Sequence, residues 1–242
     1  MKHLFTAVAL MSTLLSAAQN DDLRFGISIR PILPLGLLDT EGETLSNDGL
    51  TVTLDPMVGY NFGMFIQQRL TPLLALETGI YTARRNYRSS YVHAPTDTLQ
   101  EATFAFVGYE IPVQGLMYVQ LGEQLFMNAS GGFSIDMYPS DVFTNNSLGK
   151  DTLSIVYNVA TRRRRWVQLG LVANYGFEWR TPKKGAWYMG ASYHRPFDSI
   201  GETRSKLEVN GVGTTVSHQL NGSYLTVDVR YVFADNSRTR RP

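Results

Sequence analysis

The stretch Trp166–Arg180 reads WVQLGLVANYGFEWR, and its apolar residues recur at every second position. Val167, Leu169, Leu171, Ala173, Tyr175, Phe177 and Trp179 fall on one face of an extended chain, opposite Gln168, Asn174, Glu178 and Arg180. Alternation with period two marks a strand whose two faces meet different surroundings. Near the end of the chain the pattern returns, with Leu225, Val227, Val229, Tyr231 and Phe233 against Thr226, Asp228 and Arg230.

Further segments alternate with less contrast. Leu23, Phe25, Ile27 and Ile29 oppose Arg24, Ser28 and Arg30, and Val58, Tyr60, Phe62, Met64 and Ile66 oppose Asn61 and Gln67. Leu74, Leu76 and Ile80 oppose Glu77, while Tyr109, Ile111 and Val113 oppose Glu110 and Gln114. Leu125, Met127, Ala129 and Phe133 oppose Asn128, Ser130 and Asp136, and Trp187, Met189, Ala191 and Tyr193 oppose Ser192 and His194. The eight expected strands lie near 23–33, 52–68, 73–86, 102–119, 124–136, 164–180, 186–196 and 221–233.

A soluble sandwich or lipocalin-like barrel also alternates, but turns its apolar face inward. A membrane barrel inverts this arrangement. Three features favour inversion. The segments exceed the roughly 5–6 residues of globular strands and meet the about 9–11 of a spanning strand. Their polar face carries many small or charged residues, which would fill a dry core badly. Long polar stretches near 34–50, 87–101, 137–161 and 197–219 alternate with short turns at 69–72, 120–123 and 181–185. Short periplasmic turns and longer external loops are what a bacterial outer-membrane barrel has. The expected fold is all-β: a closed antiparallel transmembrane β-barrel of eight strands, with both termini periplasmic. Aromatic residues sort to the strand ends, with Phe177, Trp179, Trp187, Tyr231 and Phe233 at one level and Trp166 and Tyr193 at the other. Such girdles are expected at the two membrane interfaces.

At the N-terminus Lys2 and His3 precede an apolar run from Leu4 to Leu15, followed by Ser16-Ala17-Ala18. This pattern reads as a cleaved signal peptide over residues 1–18, too short for a spanning helix of about 20 residues. Residues 19–242 then form one outer-membrane barrel domain, whose last strand ends near 233 and whose periplasmic tail is 234–242. The chain of 242 residues carries a formal charge of +1, which falls to zero without Lys2. That balance supplies no drive toward nucleic acid. Cysteine is absent, which excludes disulfides, thiolate metal sites and cysteine nucleophiles.

The Gly59-Tyr60-x-x-Gly63 strand, the Tyr109-Glu110-Ile111-Pro112-Val113 strand and the final Tyr224–Phe233 strand resemble the PorT-like outer-membrane β-barrel family of the Bacteroidota. The resemblance covers nearly the whole mature chain through degenerate Gly and aromatic landmarks. It implies an eight-stranded barrel and, through the PorT proteins, a link to secretion across the outer membrane and to gliding. One departure is that the chain runs past Phe233 to Pro242, whereas many such barrels stop at their terminal aromatic.

Two sets of residues stand out as candidate sites. Arg24, Arg30, Glu77, Glu110, Glu178, Arg180, Asp228 and Arg230 share the polar faces and are expected to form a charge network in the lumen, which eight strands leave just wide enough for side chains. A second, basic set comprises Arg162, Arg163, Arg164 and Arg165 before the sixth expected strand and Arg84, Arg85 and Arg88 after the third. At the outer rim these guanidiniums suit bidentate contact with lipopolysaccharide phosphates, although charge runs are also commonly just solvated. Ser192-x-His194 places a hydroxyl and an imidazole on one strand face, but no orienting carboxylate can be assigned from sequence. No metal site, cofactor motif or catalytic pattern is recognised, and the chain is not expected to be an enzyme. The expected role is a structural or interaction protein of the envelope, in contact with outer-membrane lipid, lipopolysaccharide and other envelope proteins. Alternatives are an accessory of a secretion or gliding apparatus, a small-solute pore and a lipid A-modifying enzyme.

Overall fold

The structure is a computed structural model that describes residues 23–34, 43–47, 50–93, 98–150, 153–181, 184–209 and 211–234. The expected signal peptide and most of the expected C-terminal tail lie outside the described residues. The strands are β1 Leu23–Leu33, β2 Glu43–Asn47, β3 Leu50–Arg69, β4 Leu74–His93, β5 Thr98–Gln120, β6 Leu125–Met137, β7 Val142–Lys150, β8 Leu153–Arg163, β9 Val167–Thr181, β10 Gly185–Pro196, β11 Gly201–Val209, β12 Val212–Leu220 and β13 Tyr224–Val232. Among the described residues there is no helix.

Each of the eight alternating segments is a strand: β1, β3, β4, β5, β6, β9, β10 and β13. All their pairings are antiparallel, and they run in a ring, β1-β3-β4-β5-β6-β9-β10-β13, with β13 returning to β1. Every strand of the ring therefore has its backbone groups met on both sides, which removes the unpaired edge of an open sheet. The turns at 70–73 and 121–124 lie at one end, where β1 enters and β13 leaves.

The expectation of long polar loops at the other end is corrected. β4 and β5 run on to His93 and from Thr98, and the remaining stretches hold β2, β7, β8, β11 and β12. β7, β8, β11 and β12 pair as a separate antiparallel sheet. β2 pairs with the upper part of β3, β12 lies beside β2 and β7 beside β5. The Asn47 amide donates to the Thr215 carbonyl at 3.3 Å across the β2–β12 seam. The result is a second storey of β structure above the ring, joined to it by β3, β4 and β5. These segments were hard to recognise because their inward faces mix Thr203, Ser205 and Thr161 with Leu207 and Val159, so hydropathy hardly alternates. The sixth expected strand also starts later, at Val167, leaving 164–166 as a bend between β8 and β9.

The two storeys have opposite interiors. In the ring the apolar residues face outward, including Ile29, Met64, Ile80, Val113, Phe133, Leu171, Met189 and Val229, one from each strand. Met64 is 69% exposed and Met189 64%, values for large apolar side chains that a water-facing surface would penalise. The second storey buries Leu50, Val52, Phe104, Phe106, Tyr157, Val159, Leu207 and Val216 in one apolar cluster. β4 shows the change along a single strand. Its inward residues run from Glu77 through Tyr81 and Arg85 to Tyr87 and Tyr91, and its outward ones from Leu74 and Ile80 to Arg84 and Arg88. β3 makes the change with a bulge, where its register against β4 shifts between Met57 and Tyr60. Above the shift Leu50, Val52 and Leu54 point inward; below it the even-numbered Tyr60, Phe62, Met64 and Ile66 point outward. One extra residue exchanges the two faces of a strand.

Candidate functional site

The ring interior is a stack of ion pairs, built because many inward positions of the eight strands carry charged or polar side chains, with apolar groups such as Phe65 and Leu116 packed among them. Nearest the short turns, Glu178 accepts from Arg180 and has Arg24 at 4.0 Å. The Arg180 guanidinium lies 3.8 Å from the Phe126 ring and 4.5 Å from Tyr118. Above it Arg230 donates to Glu77, which also accepts from the Gln67 amide at 2.7 Å. Arg30 follows, 3.5 Å from Asp228 and stacked over Tyr81 at 4.2 Å. Asp228 is fully enclosed and accepts from Thr226 at 2.6 Å, Asn174 at 2.9 Å and Ser192. Tyr188 reaches across to Asn174 Oδ1 at 2.7 Å, over Gly176 and Gly190. A Cβ at Gly190 would sit 2.1 Å from the Tyr188 hydroxyl, so only glycine leaves room for that ring.

At the top of the ring Glu110 accepts from Arg85 at 2.8 Å, from the Tyr224 hydroxyl at 2.6 Å and from Asn61 at 2.8 Å. Beside it Asp136 accepts from Ser134 at 2.6 Å and lies 3.2 Å from His194 Nε2, whose ring stacks on Tyr224. The interior void bounded by Arg30, Tyr81, Glu110, Ser134, Ser192 and His194 is about 10 Å³, room for roughly one water.

All eight residues of the expected lumen network point into the ring. Arg24 is half-buried and Arg180 partly so; Arg30, Glu77, Glu110, Glu178, Asp228 and Arg230 are buried. Arg85 is a correction. Grouped by sequence with the rim arginines, it turns inward, is 3% exposed, and holds Glu110 and the Gly222 carbonyl. Its neighbour Arg84 takes the outward place, because adjacent strand residues face opposite ways. Asp136, Arg85 and His194 are the members of the interior network that sequence reading left out of the set. Asp136 and His194 do alternate with apolar residues, so their polar-face position was a usable signal. Arg85 was hidden inside the run Arg84-Arg85.

The other basic residues lie where the two storeys meet or on the outer face above. Arg84, Arg88, Arg162, Arg164 and Arg165 are exposed and Arg163 half-buried. Arg163 donates to the Tyr138 and Pro139 carbonyls. Arg164 pairs with Asp198 at 3.0 Å, Arg165 lies 3.9 Å from the same carboxylate, and Arg88 is 3.6 Å from Glu101. Trp166 and Phe197, both exposed, lie close to this level. Ser192 and His194 are both buried but serve different carboxylates, Asp228 and Asp136.

In the second storey His218 is buried and its Nε2 approaches the Val52 carbonyl at 3.2 Å. Burial pushes the His218 pKa below its ordinary value. The Tyr91 and Tyr157 rings pack at a 32° tilt with centroids 4.0 Å apart. Burial, with Tyr157 alongside, pushes the Tyr91 hydroxyl up to about 12.

No protein-family model matches the chain, and no curated protein sequence matches it. Among solved structures, the outer membrane protein OprG from Pseudomonas aeruginosa aligns over 87% of this chain and 94% of its own, at 10% identity and TM-score 0.44. The outer membrane protease OmpT from Escherichia coli aligns over 88% and 94%, at 11% identity and TM-score 0.31. The translocator domain of the autotransporter NalP from Neisseria meningitidis aligns over 96% of each chain, at 9% identity and TM-score 0.22. The first two of these neighbours are outer-membrane proteins by description. At such scores the architecture rests on the strand pairings themselves.

Proposed function

We propose that this chain is an exported, non-enzymatic outer-membrane β-barrel protein. Its ring spans the bilayer and its second storey stands outside the cell, where it serves as a structural or interaction module. The observation that carries this reading is the inversion within one sheet system. The ring keeps charge inside and apolar side chains outside, and the storey above it does the reverse. An apolar belt on all eight strands suits hydrocarbon, and an apolar core under a polar surface suits water. In this reading residues 1–18 are the signal peptide, the short turns and both termini are periplasmic, and the stacked ion pairs plug the lumen.

The basic residues fit the same frame. Arg84, Arg162, Arg164 and Arg165 stand at the upper edge of the belt, near the level expected for lipopolysaccharide phosphates. A cysteine at Thr103, on the outer face of the second storey, should react with a membrane-impermeant maleimide in intact cells. Labelling only after the outer membrane is opened would overturn the orientation, and recovery of the unmutated protein in the soluble fraction would overturn the membrane reading.

A role as accessory to a secretion or gliding apparatus is the second reading. It rests on the PorT-like motifs, which fall on β3, β5 and β13 of the ring, and on a second storey whose packed core lets it present a surface to a partner. Stable partner proteins recovered by crosslinking in native membranes would favour it over a solitary anchor.

A further inference from the structure

Charge is matched unevenly along the ring interior. Glu77, Asp228 and Glu178 each face an arginine of their own. Glu110 has Arg85 at 2.8 Å, but among the described residues Asp136 has no arginine within 4 Å and only His194 as its ion-pair partner. Glu110 and Asp136 are also direct cross-strand partners on β5 and β6, a placement in which like charges repel. Both are buried, Asp136 completely, and an unmatched buried carboxylate is costly. Asp136 Oδ2 has no hydrogen-bond partner. It lies 3.2 Å from His194 Nε2, which is hydrogen-bonded to Oδ1 of the same carboxylate at 3.2 Å and is 4.0 Å from Glu110 Oε1.

We propose that Glu110, Asp136 and His194 bind one divalent first-row transition ion at the top of the ring. One ligand atom from each residue can be chosen so that all lie within 4.8 Å of one another. The His194–carboxylate separations of 3.2 and 4.0 Å bracket the roughly 3.3 Å between ligands that bonds of about 2.0–2.1 Å impose at a tetrahedral centre. An imidazole nitrogen with carboxylate oxygens suits zinc, iron or manganese; calcium and magnesium take oxygen alone. The adjoining void borders Glu110 and His194 and has room for about one further small ligand such as water. The ion would tie β5, β6 and β10 together just beneath the second storey. It concerns only the ring interior, so it stands whether the membrane orientation proposed above is right or reversed.

The test uses the mature chain purified from outer membranes without chelator, with metal content measured per folded chain. Folding is read from the mobility difference between heated and unheated samples on a gel. The expected result is close to one equivalent of zinc, iron or manganese, with X-ray absorption showing nitrogen and oxygen ligands. Protein refolded from urea with Zn²⁺ should melt several degrees higher than protein refolded with EDTA. Asp136→Asn and His194→Gln should lose both the metal and that difference, while Glu101→Gln on the outer face keeps them. Folded wild-type protein with neither retained metal nor a Zn²⁺-dependent rise in Tm would overturn the site. Equal retention by the Asp136 and His194 variants would also overturn it. Should those variants fail to fold, the wild-type metal content and absorption spectrum decide alone.

Discussion

The ring and the storey above it share β3, β4 and β5 yet obey opposite rules. Below, Arg230 and Glu77 meet inside while Met64 and Ile80 lie outside. Above, Phe106 and Tyr157 pack inside while Arg88 and Arg204 lie outside. Strand geometry is constant across the boundary, so geometry does not choose which face is apolar. The surroundings do. On the membrane reading proposed above, the outside of the ring is hydrocarbon, so its charges retreat inward and pair. The outside of the second storey is water, so its apolar groups retreat and its charges need no partner.

The contrast can be broken most severely from inside the ring. Glu77→Gln leaves the Arg230 guanidinium buried without its counter-ion and should cost about 3–5 kcal/mol, read by urea unfolding in detergent or lipid. Replacing both, as Glu77→Leu with Arg230→Met, should recover most of that loss. If the double variant is as weak as the single one, the pair is not the source. In the second storey, Phe106→Ala removes a ring from an apolar core and should cost about 3 kcal/mol or somewhat more. Limited proteolysis should then cut the β7–β8 or β11–β12 segments while the ring stays resistant, if the two storeys unfold separately.

Outward positions should respond in the opposite sense to their level. Val227→Lys on the belt should cost roughly 2–4 kcal/mol, whereas Thr103→Lys above it should stay within about 0.5 kcal/mol. Equal costs would mean that both levels meet the same solvent. Thr226 offers no mild comparison, since it is buried with its hydroxyl on Asp228. The smallest expected effect is on acid sensitivity. The folded pKa of His218 is depressed by burial, so the unfolded chain takes up its proton first as pH falls. Stability from this group is complete above about pH 6.5 and declines below that value until the folded-state pKa is passed. His218→Phe should flatten the decline between about pH 7 and 5 in thermal melts, and an unchanged slope would remove His218 as its cause.

Much of the ring was legible from residue order. Leu225, Val227 and Val229 against Thr226, Asp228 and Arg230 is a local pattern, and reading it needs no partner strand. The polar face of each segment delivered the interior positions for the same reason, Asp136 and His194 among them although they were not counted in the charge network, and only Arg85 escaped it. Arg85 stands in a basic run where sequence offers no sign of which arginine turns inward. The second storey was read as loops because its short strands bury Thr161, Thr203 and Ser205 beside Leu207. Their hydrogen bonds, such as Thr161 to Thr203 at 2.9 Å, are invisible to a hydropathy pattern.

By itself the sequence determined that this chain forms strands, where the eight ring strands lie, and which of their residues share a face. Period two is a property of the extended backbone and needs nothing beyond neighbouring residues. The tertiary structure decided what each face meets: the exchange of faces at the β3 bulge, the pairing of Arg85 with Glu110, and the convergence of Asp136 and His194 from β6 and β10. Those outcomes depend on which strands lie side by side and in what register, and residue order along one strand carries no such information.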